Sequence, residues 1–242
     1  MEKIEELGNG ISLIVSKEHK FGTDAILLAD FARAKPKSVA CDLGTGCGII
    51  PFVWHSRGLC NKIYGVEIQQ EAAEMAQRSV VINKSEDKIN ILHRNLKELK
   101  GKIPFGSVDV VTCNPPYKAP GAGIESKSES DRIARFETLC TVDDICISAR
   151  NLLKSGGTLC MCMRPERLTD LLCSMRNVGL EPKRLRMITQ RKGCSPWLFL
   201  VEGQKDANPN IVILPELTIE NDDGNYSNDM LKVYGMYKER FI

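Results

Sequence analysis

Short apolar runs alternate with helical patterns along most of this chain, and this alternation restricts the fold more than any other feature of the sequence. Four runs come first, at SVACDL, KIYGVEI, KINILH and SVDVVTC, with helical patterns at GIIPFVWHSRG and QEAAEMAQRSVVIN between them. The alternation continues with GGTLCMCM, ERLTDLLCSMRNVG, EPKRLRMITQ and PWLFLVEG. Short strands separated by helices are typical of a mostly parallel sheet covered by helices on both faces. We therefore predict one α/β domain with a doubly wound sheet.

Two further helices are predicted beside this pattern. TDAILLADFARA has helical apolar spacing behind a cap at Thr23 or Asp24, and Pro36 stops it. DRIARFETLCTVDDICISARNLL predicts one long helix over residues 131–153. The end of the chain is polar and rich in turns. We therefore divide the single domain, residues 1–242, into an N-terminal segment 1–35, a core 36–204 and a C-terminal extension 205–242.

The composition argues against several classes of protein. A net charge of +2 does not indicate a nucleic-acid partner, so any basic surface must be local. No stretch reaches the roughly 18 apolar residues of a membrane span, and the N-terminus lacks the pattern of a signal peptide, which predicts a cytoplasmic protein. Ten cysteines without a C-x-x-C pair predict reduced core thiols. Three histidines without metal-ligand spacing predict no metal site.

A glycine-rich turn joins the first run to its helix, at VACDLGTGCGII. Gly44, Gly46 and Gly48 let the backbone approach a ligand at the helix N-terminus. A P-loop is excluded because no Gly-Lys-Ser/Thr ends the turn, and the G-x-G-x-G spacing differs from that of a dinucleotide site. Asp42 would repel a pyrophosphate but can receive an ammonium group, directly or through water. S-adenosylmethionine has an ammonium group and no phosphate, so we predict that the turn binds this cofactor.

Two more candidates for the cofactor site follow the next strands. Glu67 ends the second run, where a carboxylate can accept hydrogen bonds from both ribose hydroxyls. The alternative is that the glycine turn is only a tight connection and Glu67 a solvated charge. Asn95 follows the third run and can either hydrogen-bond the adenine of the cofactor or cap a surface helix. The predicted cofactor site also includes the neighbouring residues Thr45, Ile68 and Leu96.

The fourth run ends in CNPPYKAP, where two prolines terminate the strand. Asn114, Pro115, Pro116 and Tyr117 combine an amide, rigid backbone carbonyls and an aromatic ring. Together with DLGTGCG, residues 42–48, this motif resembles the Rossmann-like S-adenosylmethionine methyltransferases that modify planar amide or amino nitrogens. The resemblance implies a methyltransferase in which these four residues are catalytic and Asn114 also contacts the cofactor.

The chemistry of a planar amine explains why such a motif is useful. The amine of adenine is a poor nucleophile because its lone pair is delocalised into the ring. The side-chain oxygen of Asn114 and the carbonyl of Pro115 can accept hydrogen bonds from this amine and favour its pyramidalisation toward the methyl group. Tyr117 can stack on the base, an interaction worth about 1–3 kcal/mol.

Within these enzymes, the chain is most similar to the bacterial tRNA methyltransferases that modify the adenine next to the anticodon of a valine tRNA. The similarity extends over roughly residues 21–235. It implies that FGTD closes over the methionine end of the cofactor and that PWLFLVEGQK forms a closing antiparallel strand. The FGTD residues are Phe21, Gly22, Thr23 and Asp24. ARFE, residues 134–137, departs from the usual Ala-Arg-His-Glu at Phe136, so no role is carried over to that side chain.

A local cluster of basic residues lies in PKRLRMITQRKG. Its members are Lys183, Arg184, Arg186, Arg191 and Lys192. Such a cluster can bind phosphates of a folded RNA or can protect a strand edge by charge. The polar segment 121–130, with Arg132 and Arg135 after it, predicts a lid that orders when substrate binds. Trp197 is predicted to be a core residue because it opens an apolar run.

We therefore predict an enzyme that transfers a methyl group from S-adenosylmethionine to N6 of adenine in tRNA, after the base has left its stack. One alternative keeps the chemistry and makes the acceptor a glutamine of a release factor. The other is a non-catalytic RNA-binding module. The absence of a target-recognition domain and of a helical N-terminal domain favours the tRNA enzyme. The sequence carries no signal of oligomeric state, and we expect a monomer.

Overall fold

The computed structural model describes residues 1–115 and 140–235. Pro116, Tyr117, the predicted lid and ARFE lie outside these ranges. The strands are β1 (Glu2–Glu6), β2 (Ser12–Ser16), β3 (Val39–Leu43), β4 (Lys62–Glu67), β5 (Ile89–His93), β6 (Val108–Cys113), β7 (Leu153–Met163), β8 (Leu180–Thr189), β9 (Leu198–Lys205), β10 (Val212–Ile213) and β11 (Leu217–Thr218). The helices are α1 (Thr23–Phe31), α2 (Ile49–Ser56), α3 (Gln70–Ile82), α4 (Val142–Leu152), α5 (Leu168–Asn177) and α6 (Asn228–Tyr234).

The central sheet has the order β10-β8-β9-β7-β6-β3-β4-β5, and β11 also pairs with β8. Strands β7, β6, β3, β4 and β5 are parallel, whereas β9 is antiparallel to both of its neighbours. Successive strand residues belong to two different apolar clusters, because successive side chains point to opposite faces; Ala40 lies in one cluster and Cys41 in the other. The prediction of a doubly wound sheet with an antiparallel strand near the C-terminus is confirmed.

A hairpin of β1 and β2 precedes α1. This hairpin was not predicted from the sequence. Its strands are antiparallel, and the turn between them has positive φ at Gly8, Asn9 and Gly10. An Asn-Gly pair between two short runs is a known hairpin signal, so this element was readable from the sequence. The hairpin is attached to α3, since the Ser79 hydroxyl accepts a hydrogen bond from the Ile14 amide at 2.9 Å.

Two predictions about helices were wrong. Helix α1 has Gly22 as its N-cap, without a side-chain cap, so neither Thr23 nor Asp24 caps it. The helix predicted over 131–153 does not continue through Thr141, whose backbone is extended and whose side chain caps α4. A capping box joins Thr141 and Asp144 and starts the helix at Val142. The apolar spacing had concealed this stop.

The C-terminal extension packs against the sheet and against α1. Strands β10 and β11 add to β8 in parallel. The hydroxyl groups of Thr23 and Tyr234 lie 3.0 Å apart, and an Arg57 guanidinium N–H donates to the Val233 carbonyl. Met230 and Val233 belong to the apolar cluster that contains α1 and α2. The extension thus brings residues near position 220 to the ends of the central strands.

Candidate active site

A cavity of about 700 Å³ opens above the ends of the central strands. Its wall includes residues that follow β3, β4, β5 and β6 at their C-terminal ends, and residues that follow β8 and precede β9. Because β9 is antiparallel, its start lies at the same edge as the ends of its neighbours. The volume lies within the usual range of about 300–1,000 Å³ for sites that bind small molecules.

The glycine turn forms one part of the wall. Gly44 and Thr45 donate their amide hydrogens to the Val66 carbonyl at 2.8 and 3.0 Å, which bends the chain over the end of β4. Gly44 and Gly46 line the cavity with φ of 73° and 56°, a conformation that favours glycine. Gly48 does not line the cavity; it is the N-cap of α2 and packs near Phe52.

Asp42 lies at the bottom of this turn, almost fully buried. The Thr112 hydroxyl donates to its Oδ1 at 2.7 Å. The pKa of Asp42 is raised to about 7, mainly by burial and to a smaller extent by the negative charge of Glu67, while Thr112 and Thr45 oppose the rise. The Thr45 hydroxyl lowers the pKa of Asp42 through its proximity to the carboxylate, but it makes no well-formed hydrogen bond with any of the described residues. A positively charged group in the cavity would restore the ionised form of Asp42.

Glu67 is buried beside Asp42 and holds the glycine turn. Its carboxylate accepts the Gly46 amide hydrogen at one oxygen and the Gln69 amide hydrogen at the other, both at 2.8 Å. The sequence predicted a carboxylate at the strand end, and the structure adds a second function, which is to fix the backbone around it. Each carboxylate oxygen still has a free lone pair, so binding of a ribose hydroxyl stays a prediction.

Asn95 caps a helical turn, which is one of the two roles that the sequence left open, and it also lies on the cavity wall. Its side-chain oxygen accepts from the Lys97 amide at 3.0 Å and so caps the helical turn Leu96–Glu98. Asn95 also lines the cavity, as do Ile68 and Leu96. Hydrogen bonding to the adenine of the cofactor therefore stays a prediction.

Asn114 is held by hydrogen bonds at both ends of its amide. Its Nδ2 donates to Asp24 Oδ2 at 2.9 Å, and the Cys162 thiol donates to its Oδ1 at 3.0 Å. Because a carboxylate without its proton can only accept, Asp24 determines which end of the amide is the nitrogen. Pro115 is buried and lines the cavity beside Asn114. Pro116 and Tyr117 lie outside the described residues.

The cavity brings together most of the residues predicted for the site. Those on the wall are Phe21, Gly22, Thr23, Asp24, Asp42, Gly44, Thr45, Gly46, Glu67, Ile68, Asn95, Leu96, Asn114 and Pro115. The sequence analysis missed Gln190, Ile219, Glu220 and Tyr226, which also line it. Trp197 packs against the core, as predicted, but it lines the cavity as well. No local pattern marks these residues, because they meet only when β8, β9 and the C-terminal extension are assembled.

The wall also carries unpaired polar atoms. Among the described residues, the buried side-chain atoms without a hydrogen-bond partner are Thr45 Oγ1 and Trp197 Nε1. Both residues line the cavity. Buried polar groups are normally paired, so a polar ligand that pairs with them fits this site.

The basic cluster is divided between buried and exposed positions. Arg184 is excluded as a phosphate contact, because its guanidinium is almost buried against Glu202, donates to the Phe31 carbonyl and lies over the Phe31 ring. Arg191 is exposed and pairs with Glu220, and Lys192 is exposed. The remaining two make side-chain contacts with the C-terminal extension: Lys183 with the Asn208 carbonyl and Arg186 with the Pro215 carbonyl.

Within residues 1–115 and 140–235, no group of His, Cys, Asp and Glu side chains is arranged to hold a metal ion. Nor does any helix in these ranges have the length and apolar character needed to cross a bilayer.

The fold and the cavity define a methyltransferase of the Rossmann-like class. The chain belongs to the methyltransferase small domain family, whose model matches residues 15–171. The predictions of a methyltransferase and of S-adenosylmethionine as its cofactor are thus confirmed.

Relatives with assigned names extend over most of the chain. A tRNA1(Val) (adenine(37)-N6)-methyltransferase of Proteus mirabilis is 24% identical over 87% of this chain and 83% of its own length. A protein of the same name from Phocaeicola vulgatus is 26% identical over 88% of this chain and 87% of its own length. Among solved structures, a predicted O-methyltransferase from Agrobacterium tumefaciens has a TM-score of 0.67, with 19% identity, 88% coverage of this chain and 96% of that one. This last similarity concerns the fold alone.

Proposed function

We propose that this protein transfers a methyl group from S-adenosylmethionine to the N6 amine of adenine in tRNA, at the position next to the anticodon of a valine tRNA. The observation that carries the proposal is the Asn114-Pro115 pair on the wall of the cavity, beside the glycine turn. The names of the relatives from Proteus mirabilis and Phocaeicola vulgatus support the same acceptor.

The residues of the glycine turn and of the neighbouring strand ends would hold the cofactor. Asp42 receives the ammonium group, and Glu67 accepts from the ribose while it keeps the turn in place. Thr45 supplies a hydroxyl that is unpaired among the described residues. S-adenosylmethionine supplies an electrophilic methyl group on its sulfonium sulfur.

Asn114 and Pro115 act on the acceptor. The Asn114 Oδ1 and the Pro115 carbonyl accept hydrogen bonds from the adenine amine and hold its nitrogen in line with the methyl group. The Cys162 thiol uses one lone pair of Oδ1 and leaves the other for the amine. Asp24 keeps the amide in this orientation through its bond to Nδ2. The amine nitrogen becomes acidic once it is methylated, so no strong base is needed.

The exposed end of the basic cluster is suited to the RNA. Arg191 and Lys192 directly follow Gln190, which lines the cavity. Arg191 is already paired with Glu220, so the charge of Lys192 would contact phosphates near the flipped nucleotide, and its contribution would weaken as salt increases.

The test uses labelled S-adenosylmethionine, the purified protein and total tRNA from a strain that lacks the gene, with a release factor in a parallel reaction. We expect label in N6-methyladenosine after digestion of the tRNA, and mapping should place it next to the anticodon of valine tRNA. Label in the release factor alone would replace the acceptor with a glutamine. Binding of tRNA without label in either reaction would indicate a non-catalytic RNA-binding module.

A further inference from the structure

Trp197 lines the cavity, and none of the interactions proposed above involves its indole N–H. The Nε1 atom is buried and has no hydrogen-bond partner among the described residues, although the residue as a whole is only half-buried. An indole nitrogen can only donate, so a partner must be an acceptor. The other tryptophan of the chain shows the usual arrangement, since Trp54 Nε1 donates to the Ala29 carbonyl at 2.9 Å in the protein interior.

The strand order places Trp197 on the acceptor side of the cavity. Glu67 ends β4 and Asn95 follows β5, whereas Trp197 precedes β9, and Asn114 follows β6 between them. The pairing of Met163 with Phe199 carries Trp197 past the end of β7. Its backbone is held there, because Arg164 donates to its carbonyl at 2.7 Å and its amide donates to the Ile188 carbonyl at 3.0 Å. Trp197 and the predicted ribose carboxylate therefore lie on opposite sides of Asn114.

The surroundings of Trp197 suit a planar, uncharged group. Tyr226 adds a second aromatic ring to this part of the wall, and Ile219 adds apolar surface. The charge of Glu220 is compensated, since its carboxylate accepts from Gln190 at 2.6 Å and from Arg191 at 2.8 Å. An aromatic wall with one N–H donor matches a purine ring, which offers a flat face and ring nitrogens that accept hydrogen bonds.

We propose that Trp197 is a specificity residue of the acceptor subsite, where its Nε1 donates a hydrogen bond to a ring nitrogen of the flipped purine while Asn114 and Pro115 hold the exocyclic amine. This inference rests on the proposed function, because it assigns the site its acceptor base. If the accepting atom is N3, which lies across the purine from the exocyclic amine, the base is recognised at two opposite edges, a separation that the smaller ring of a pyrimidine does not span.

The first experiment compares Trp197→Phe with the wild-type enzyme in tRNA methylation. The substitution keeps an aromatic ring and removes the N–H. We expect KM for tRNA to rise about 5- to 15-fold, the effect of one lost hydrogen bond. The Kd of S-adenosylhomocysteine should stay within about twofold of the wild-type value. Because the removed donor was unpaired, the Tm of the variant without ligands should not fall.

Trp54→Phe is the matched control, as it removes the same group from the interior. It leaves the Ala29 carbonyl without its partner, so Tm should fall while KM for tRNA, measured well below Tm, stays unchanged. A weaker Kd for S-adenosylhomocysteine in Trp197→Phe would place the residue in the cofactor site and overturn the proposal. An unchanged KM and Kd would also overturn it, because Trp197 would then only fill space.

A second readout separates failure of this inference from failure of the proposed function. Protein saturated with S-adenosylhomocysteine is titrated with adenosine 5′-monophosphate, and tryptophan fluorescence is recorded for the wild type and for Trp197→Phe. We expect saturable quenching in the wild type, loss of that signal in the variant, and a weaker response to cytidine 5′-monophosphate. This result would support a purine subsite even if no tRNA is methylated. Equal responses of the two proteins would reject the subsite even if tRNA is methylated.

Discussion

The cavity has two halves that are built in different ways. The half that we propose binds the cofactor, called the cofactor half, comes from short stretches around Asp42–Gly48, Glu67 and Asn95, and backbone amides in it are already paired, as with Gly46 and Glu67. The half that we propose binds the acceptor base, called the acceptor half, comes from Gln190, Trp197 and the C-terminal extension, and it includes a donor that is unpaired among the described residues. The cofactor half is therefore held in shape by local contacts, although the Thr45 hydroxyl in it is unpaired among the described residues, whereas the acceptor half depends on the assembly of distant segments.

Asn114 lies between the two halves. Its replacement should have the largest effect, and it should distinguish loss of catalysis from loss of cofactor binding. Asn114→Ala removes one acceptor of the adenine amine and is expected to lower kcat by about 100- to 1,000-fold, as for the loss of a positioned hydrogen-bonding group in other active sites. The Kd of S-adenosylhomocysteine, measured by calorimetry, should change less than threefold or so. A large loss of cofactor affinity would instead assign Asn114 to the cofactor half.

Asp42 tests the stability of the cofactor half. Its pKa is raised to about 7 in the folded protein, so folding takes up a proton between about pH 4 and pH 7, and stability is lost as the pH rises through this window. The full difference is on the order of 4 kcal/mol. Asp42→Asn should therefore stabilise the protein without cofactor, increasingly so up to pH 7, while it weakens binding of the cofactor ammonium.

Urea unfolding of both proteins from pH 4 to pH 8, without cofactor, measures this difference. The quantity to follow is the unfolding free energy of Asp42→Asn minus that of the wild type, because other titrating groups cancel in it. A difference that does not change with pH would show that Asp42 is ionised in the folded protein. Calorimetry of S-adenosylhomocysteine near pH 6 in two buffers should show proton release for the wild type only.

Much of the cofactor half could be predicted from the sequence, for a physical reason. Its residues occupy fixed positions at strand ends, and its glycines are required by local backbone geometry, as the positive φ of Gly44 shows. The start of α4 was missed because the Thr141 cap interrupts apolar spacing that otherwise reads as continuous. Trp197 was assigned to the core because it opens an apolar run, and such a run gives no information about whether the ring also lines a cavity. The site residues Gln190 and Tyr226 were not identified, because their proximity depends on long-range pairing.

Replacement of Glu67 tests whether specific hydrogen bonds hold the cofactor half in its binding conformation. Glu67→Ala leaves the amides of Gly46 and Gln69 without their acceptor and removes the predicted ribose contact. We expect the Kd of S-adenosylhomocysteine to rise about 30- to 100-fold. Glu67→Gln, which retains one acceptor oxygen, should show a smaller rise. Equal effects of the two variants would mean that the charge, and not the hydrogen bonds to the turn, is what matters. In both variants, KM for tRNA at saturating cofactor should remain near that of the wild type.

The basic cluster gives the smallest effects and tests where the acceptor half meets RNA. Arg184→Met removes the partner of the almost buried Glu202 and should destabilise the protein by about 1–3 kcal/mol while tRNA affinity stays the same. Lys192→Ala, at an exposed position, should leave Tm unchanged and weaken tRNA binding about two- to fivefold at low salt. Binding measured over a range of salt concentrations shows whether each side chain contacts a phosphate of the RNA. Loss of one phosphate contact reduces the slope of log Kd against log salt by about one. A reduced slope for Arg184→Met, with none for Lys192→Ala, would move the RNA surface from the cavity mouth to the outer strands.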